Sequence, residues 1–216
     1  MPAPIVTPPK RAGRVDRRVQ EFRARVLETA EELFSQDGVE ATKIDDICEA
    51  ADVAKRTLCN HFPTKAHIVQ ALSMEAVSRL VTLVDDARET GGSTRERLGL
   101  LFQGLVQRSA EIAPIHREFV GSFFHAAHGT RDAAASEIRV SDAILRLLEA
   151  GEPSELPGGA SPVTFAELVL GAIYSTTLEW VHREDYDIER HTREVGEFLV
   201  ALLPAGSPHA THEQST

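Results

Sequence analysis

Residues 42–65 read TKIDDICEAADVAKRTLCNHFPTK and hold three of the chain's four lysines, Lys43, Lys55 and Lys65. The 216-residue chain around them is acidic, with a formal net charge of −10. Cations gathered in one short stretch of an acidic protein need a cause, and that cause depends on what the stretch folds into.

Ile44, Ile47, Cys48 and Ala51 fall at i, i+3, i+4 and i+7, the spacing of one apolar helix face, and Thr42 stands where it can cap that helix. Asp52-Val53-Ala54 breaks it. A second short helix follows from Lys55, with Leu58 and Phe62, four apart, sharing its inward face. At about 100° per residue, Arg56 and Asn60 then point away from the core, with Thr57 and Cys59 on the flanks. Two short helices joined by a three-residue turn, with longer helices before and after, form a helix-turn-helix context whose second helix fits a DNA major groove. Spacing alone leaves open an ordinary solvated helical face.

The chemistry of that face suits base reading. Arg donates twice to guanine, Asn pairs with adenine, and Thr reaches a base or a thymine methyl, each good bidentate pair discriminating by about 1–3 kcal/mol. Lys55 and Lys65 are placed to neutralise phosphates, and Thr42 and the start of the first short helix can donate to them. The candidate DNA-binding set is Thr42, Lys43, Lys55, Arg56, Thr57, Cys59, Asn60, His61 and Lys65.

Charge is distributed in keeping with this. Residues 1–70 hold 11 basic and 11 acidic side chains, whereas residues 71–216 hold 12 and 22. Lys10, Arg11, Arg14, Arg17, Arg18, Arg23 and Arg25 face only Asp16 and Glu21 within residues 10–25. A basic arm ahead of an acidic body fits nucleic-acid contact at one end, or a solvated charge run.

The remaining sequence reads as helix. A stripe through Val19, Phe22, Val26, Ala30 and Leu33 ends at Gly38. A fourth helix is expected over about residues 65–87, and Ser93 with Glu96 forms a capping-box pattern for a fifth. IHREFVGSFFHAAH follows Pro114, a further helix runs through Ile138 and Leu148, and GEPSELPGGASP, residues 151–162, is the clearest internal loop. Helices over about 163–183 and 188–203 complete an all-α count of about nine, with no alternating strand pattern and no repeat. The Pro-rich start lacks the apolar core of a secretory signal, and no apolar run of about 18 residues exists, so a soluble cytoplasmic protein without a membrane span is expected. Cys48 and Cys59 read as two ordinary thiols, not a disulfide or zinc pair.

Beyond spacing, residues 24–72 resemble the amino-terminal DNA-binding domain of the TetR family of transcriptional regulators. The landmarks, in order, are Ala30, Leu33-Phe34, Gly38, Ala41-Thr42, Ile44, Ile47, Ala50-Ala51, Val53, Thr57-Leu58, His61-Phe62 and Lys65. The resemblance implies an all-helical homodimer whose three-helix heads bind palindromic double-stranded DNA and whose variable carboxy-terminal domain binds a small-molecule effector that releases it. Three positions depart from the pattern: Ala54 where Ser or Thr often caps the recognition helix, Cys59 where an aromatic is common, and Arg56 where a small residue often stands. An operator sequence therefore cannot be borrowed from a relative. Cys59 beside Lys55 and His61 also admits an oxidation-sensing role, weighed against a thiol that simply packs small.

The expected layout is a disordered basic arm at 1–15, a helix-turn-helix domain at 16–64, an effector and dimerisation domain at 65–204 and a disordered tail at 205–216. Phe165, Leu168, Val169 and Ile173, with Val195, Phe198, Leu199 and Leu202, are the expected dimer interface, because the first helix carrying them is apolar over most of its circumference. Phe102, Phe119, Phe123 and Phe124, with His116, His125, Tyr174 and Trp180, are the candidate effector pocket, apolar walls with a few polar groups. His125, His128, His116 and Glu118 admit a metal, but no cysteine joins them and no metal or cofactor is expected. No G-x-S-x-G, H-E-x-x-H, phosphate loop or dinucleotide fingerprint is present, so no enzyme is expected. The reading is a ligand-responsive repressor. Its rivals are a helical carrier or enzyme that does not use its helix-turn-helix, and a DNA-binding regulator controlled by a protein antagonist.

Overall fold

A computed structural model describes residues 14–111 and 140–204, and among these it contains eight α-helices and no strand. They are α1 (Arg14–Asp37), α2 (Ile44–Ala50), α3 (Lys55–His61), α4 (Lys65–Thr90), α5 (Thr94–Glu111), α6 (Val140–Glu149), α7 (Pro162–His182) and α8 (Ile188–Leu202). The helix expected around IHREFVGSFFHAAH lies outside the described residues, as does the tail. α1 begins at Arg14, inside the segment expected to be loose. The chain divides into two compact units, Met1–Leu72 and Ser73–Thr216.

In the first unit, Val26, Leu27, Ala30 and Phe34 of α1, Ile47 of α2, Leu58 of α3 and Ile68 of α4 are buried, so each helix turns an apolar face inward. α1 stops because Gly38 takes φ +84°, with its N–H donating to the Phe34 carbonyl at 3.0 Å. The turn between α2 and α3 places Asp52 at φ +51°, a left-handed conformation that Asp tolerates better than most side chains.

The second unit is built on Val77, Leu80 and Val84 of α4, Leu98, Leu101 and Phe102 of α5, Ile144, Leu147 and Leu148 of α6, Phe165, Val169 and Ile173 of α7, and Leu199 of α8. α5 packs chiefly on α8, and α6 on α7. The approach of α8 to α5 needs Gly196: a Cβ there would sit 2.6 Å from Phe102 Cβ.

Helix ends follow the capping chemistry legible in the sequence. Ser93 Oγ accepts from the Glu96 N–H at 3.2 Å, while the Glu96 carboxylate accepts from the Gly92 N–H at 2.8 Å. Glu155, from the 151–161 loop, accepts from the Thr94 N–H at 2.6 Å and so caps the same helix from 61 residues away. Leu156, buried, anchors that loop. Ser161 caps α7 and Asp187 caps α8.

Candidate nucleic-acid interface

Leu58 and Phe62 are 0% and 1% exposed, so the face of α3 that packs inward is settled. Arg56, Thr57 and Asn60 consequently lie on its exposed side, and among the described residues their side chains make no hydrogen bond or ion pair. The Arg23 guanidinium stands 4.6 Å from the centroid of the Phe62 ring, and Phe22 meets His61 at 4.8 Å between ring centroids. α1 thus grips the carboxy end of α3 by cation–π and aromatic contact. His61 is half-buried in that grip, and Cys59 is half-buried beside it. The amino end of α3 is held less well, since Ala54 occupies the cap position with no side-chain hydrogen bond to offer.

The three lysines have different partners. Lys65 Nζ donates to the carbonyls of Val39, Glu40 and Thr42, the last two at 3.0 Å. The buried Thr42 hydroxyl donates to the Gly38 carbonyl at 2.8 Å, so Lys65 and Thr42 together fasten the α1–α2 turn. The expected cap is corrected, since the cap position of α2 is Lys43 and not Thr42, and the Lys65 ammonium is engaged by carbonyls. Lys43 presents its charge to solvent, and its N–H donates to the Asp46 carboxylate at 2.9 Å. Lys55 pairs with Asp45 at 2.7 Å. The hydrogen bond that Lys55 donates to Asp45, and then the Asp45 charge, raise the Lys55 ammonium above the usual lysine range, while burial and the Asp45 charge push the Cys48 thiol up. Within residues 42–65, Lys43 and Arg56 are the cations without a partner among the described residues. Both cysteines are free thiols, and no cluster of three or more metal-ligating side chains occurs among the described residues.

The sequence pattern of bacterial regulatory proteins of the tetR family matches residues 26–72, the stretch that carries α2, α3 and the lysines around them. Residues 26–72 thus carry the TetR-family DNA-binding pattern. It is 26% identical to the HTH-type transcriptional repressor KstR of Mycolicibacterium smegmatis over 166 residues, 76% of this chain and 78% of that one. Among solved structures, a TetR-family regulator from Pectobacterium atrosepticum aligns with TM-score 0.67 at 19% identity, covering 90% of this chain and all of the other. The regulator FadR from Bacillus subtilis, solved in complex with stearoyl-CoA, aligns with TM-score 0.60 at 18% identity, covering 82% and 97%. These neighbours share the all-helical fold of the chain, and the relative KstR is a transcriptional repressor.

The body of the chain places the remaining candidates as follows. Phe102 lies in the core, and Tyr174 packs against it half-buried, where desolvation pushes its phenol up. Trp180 is buried outside that cluster. His116, Phe119, Phe123, Phe124 and His125, and the histidine cluster with His128, lie outside the described residues. Of the expected dimer residues, Phe165, Val169, Ile173 and Leu199 are core residues of the protomer itself, and Val195 packs against that core. Their apolar character is spent within one chain. Leu168, Phe198 and Leu202 are exposed, and Val163 and Leu178, not singled out in the sequence, join them. No described helix is long and apolar enough to cross a membrane.

Proposed function

We propose that the chain is a homodimeric cytoplasmic repressor without enzymatic activity, whose two α3 helices read the halves of a palindrome and whose body binds a small hydrophobic effector that releases the DNA. The observation that carries this is the partition of α3: Leu58 and Phe62 are buried, while Arg56, Thr57 and Asn60 are exposed with unengaged side chains. An unpaired guanidinium and amide one helical turn apart are donors suited to guanine and adenine edges. Lys43 and Lys55 lie nearby for phosphates, and Arg18 on α1 supplies further positive charge.

Dimerisation is supported by the outer faces of α7 and α8. Leu168, Gly171, Ser175 and Leu178 follow one exposed line of α7, and Phe198, 64% exposed, stands with Leu202 on α8. Large apolar side chains placed in water on two neighbouring helices suit an isologous contact with a second copy. Two heads are also what a palindrome requires. The repressor sign follows the relative KstR, and the acyl-CoA held by the FadR neighbour makes long-chain acyl thioesters the first compounds to test. An effector would favour a dimer whose recognition helices no longer match major grooves about 34 Å apart, with coupling of roughly 1–3 kcal/mol.

Selection from a random duplex pool tests the reading. The chain should enrich an inverted repeat and retard it in a salt-dependent shift, and a hydrophobic compound that raises the melting temperature should abolish that shift. No enriched sequence would leave a carrier or an unused fold. An enriched palindrome that no compound releases would point to a protein antagonist.

A further inference from the structure

Lys55 and Asp45 form an ion pair between the first residue of α3 and the first turn of α2, with Nζ 2.7 Å from Oδ1. Both side chains are about two-thirds exposed, at 62% and 66%. Such a pair adds little to folding, because water screens it. The fold gives no other reason for a lysine there either, since a cation at a helix amino end opposes the helix dipole. The pair is therefore cheap to open and is not a structural strut.

Its position gives it another consequence. Lys55 precedes Arg56, so it enters the DNA surface with the recognition helix. While it is held by Asp45, the pair carries no net charge toward phosphate and releases no counterion. Lys65 keeps its charge but its N–H groups are taken by three carbonyls, so the cations of residues 42–65 free to move onto a phosphate are Lys43 and Arg56, with Asp46, Glu49 and Asp52 also on the exposed surface. Binding to random DNA depends almost wholly on phosphates, whereas binding to a cognate site also has base contacts that fix the helix in the groove.

We infer that Asp45 is a specificity-determining residue that keeps Lys55 off the phosphate backbone until base contacts by Arg56 and Asn60 fix α3 in the groove. In a nonspecific complex no phosphate is held in register to compete with Asp45, so the pair stays mostly closed and Lys55 contributes little. In the cognate complex the helix is held in register, Nζ exchanges Asp45 for a phosphate oxygen, and the contact adds to affinity. Asp45 thus lowers binding to random sequence more than binding to the operator. This rests on the DNA-reading function proposed above.

The test measures affinity for the selected palindrome and for a scrambled duplex, across salt, with full-length wild type, D45N, K55Q and the double variant. D45N should steepen the salt dependence on scrambled DNA by about 0.9 per head, equivalent to roughly a 3.5-fold greater loss per head between roughly 50 and 200 mM salt. Cognate binding should gain less, so the specificity ratio falls. In the K55Q background, D45N should change neither slope nor ratio. An equal D45N effect with and without Lys55 would show that Asp45 acts by plain repulsion and overturn the inference, as would an unchanged ratio. Circular dichroism melts of each variant exclude loss of fold. A wild-type chain that enriches no sequence overturns the parent reading and this inference together, whereas an enriched palindrome with an inert D45N overturns this inference alone.

Discussion

Lys65, at the start of α4, donates a hydrogen bond to the Thr42 carbonyl at 3.0 Å, reaching back 23 residues to the turn before α2. With the Val39 and Glu40 carbonyls also on Nζ, the ammonium serves as the hub of the α1–α2 connection. Lys65→Met should therefore destabilise the head, by about 1–3 kcal/mol for carbonyls left short of donors. Chemical denaturation measures this loss. The salt slope of DNA binding should stay as in wild type, in contrast to the loss of about one expected if Lys65 touched phosphate.

Ala54 is at the cap position of α3, with φ −68° and ψ 132°, a conformation that Ser adopts freely. Ala54→Ser should stabilise the head by about 1 kcal/mol, read as a higher melting temperature, because its hydroxyl supplies the missing acceptor.

Arg56→Ala and Asn60→Ala remove exposed side chains that make no hydrogen bond or ion pair among the described residues, so melting temperature should hold. Repeating the selection should show relaxed preference at one position of each half-site, about 1–3 kcal/mol per bidentate pair. Equal loss on cognate and random duplexes would assign both residues to the backbone.

Phe198→Glu places a charge in the middle of the exposed apolar face of α8. Sedimentation should show a monomer, and affinity for a full palindrome should fall to that for a half-site, while the helical content of the chain is kept.

Glu155 carries a pH signature. Contact with Thr94, the side chain first and the backbone N–H with it, together with the charge of Arg97, holds its carboxyl below the usual carboxylate range against the opposing effect of burial. The N–H bond at 2.6 Å has hydrogen-bond geometry, whereas the buried Thr94 hydroxyl lacks an aligned partner. A lowered folded value means the contribution is present above the unfolded pKa of about 4.3 and is lost as pH falls through the folded one. Melting temperature should drop in wild type below about pH 4.3 and do so less steeply in Glu155→Gln.

The helices and the inward face of α3 were legible because they rest on local periodicity: Leu58 and Phe62 are four apart, and burial follows. Caps were equally legible where donor and acceptor are neighbours, as at Ser93 and Glu96. The partners of the lysines were not, because each lies on another element. A lysine at the end of a helix-turn-helix reads as a phosphate ligand, and only the folded α1–α2 turn brings three carbonyls to Lys65. Asp45 was missed as the partner of Lys55 for a related reason: an acid in the first turn of a helix already complements the dipole. The residues expected at an interface on α7 divided between core and surface, since apolarity around most of a helix tells nothing of which side a second chain would take.

Gly196 leaves no slack between α8 and the Phe102 ring. Even the methyl group of Gly196→Ala has no room there, so either the Phe102 side chain or the whole of α8 must give way. The strain should read out as a lowered melting temperature that trimming the ring, Phe102→Leu, partly restores.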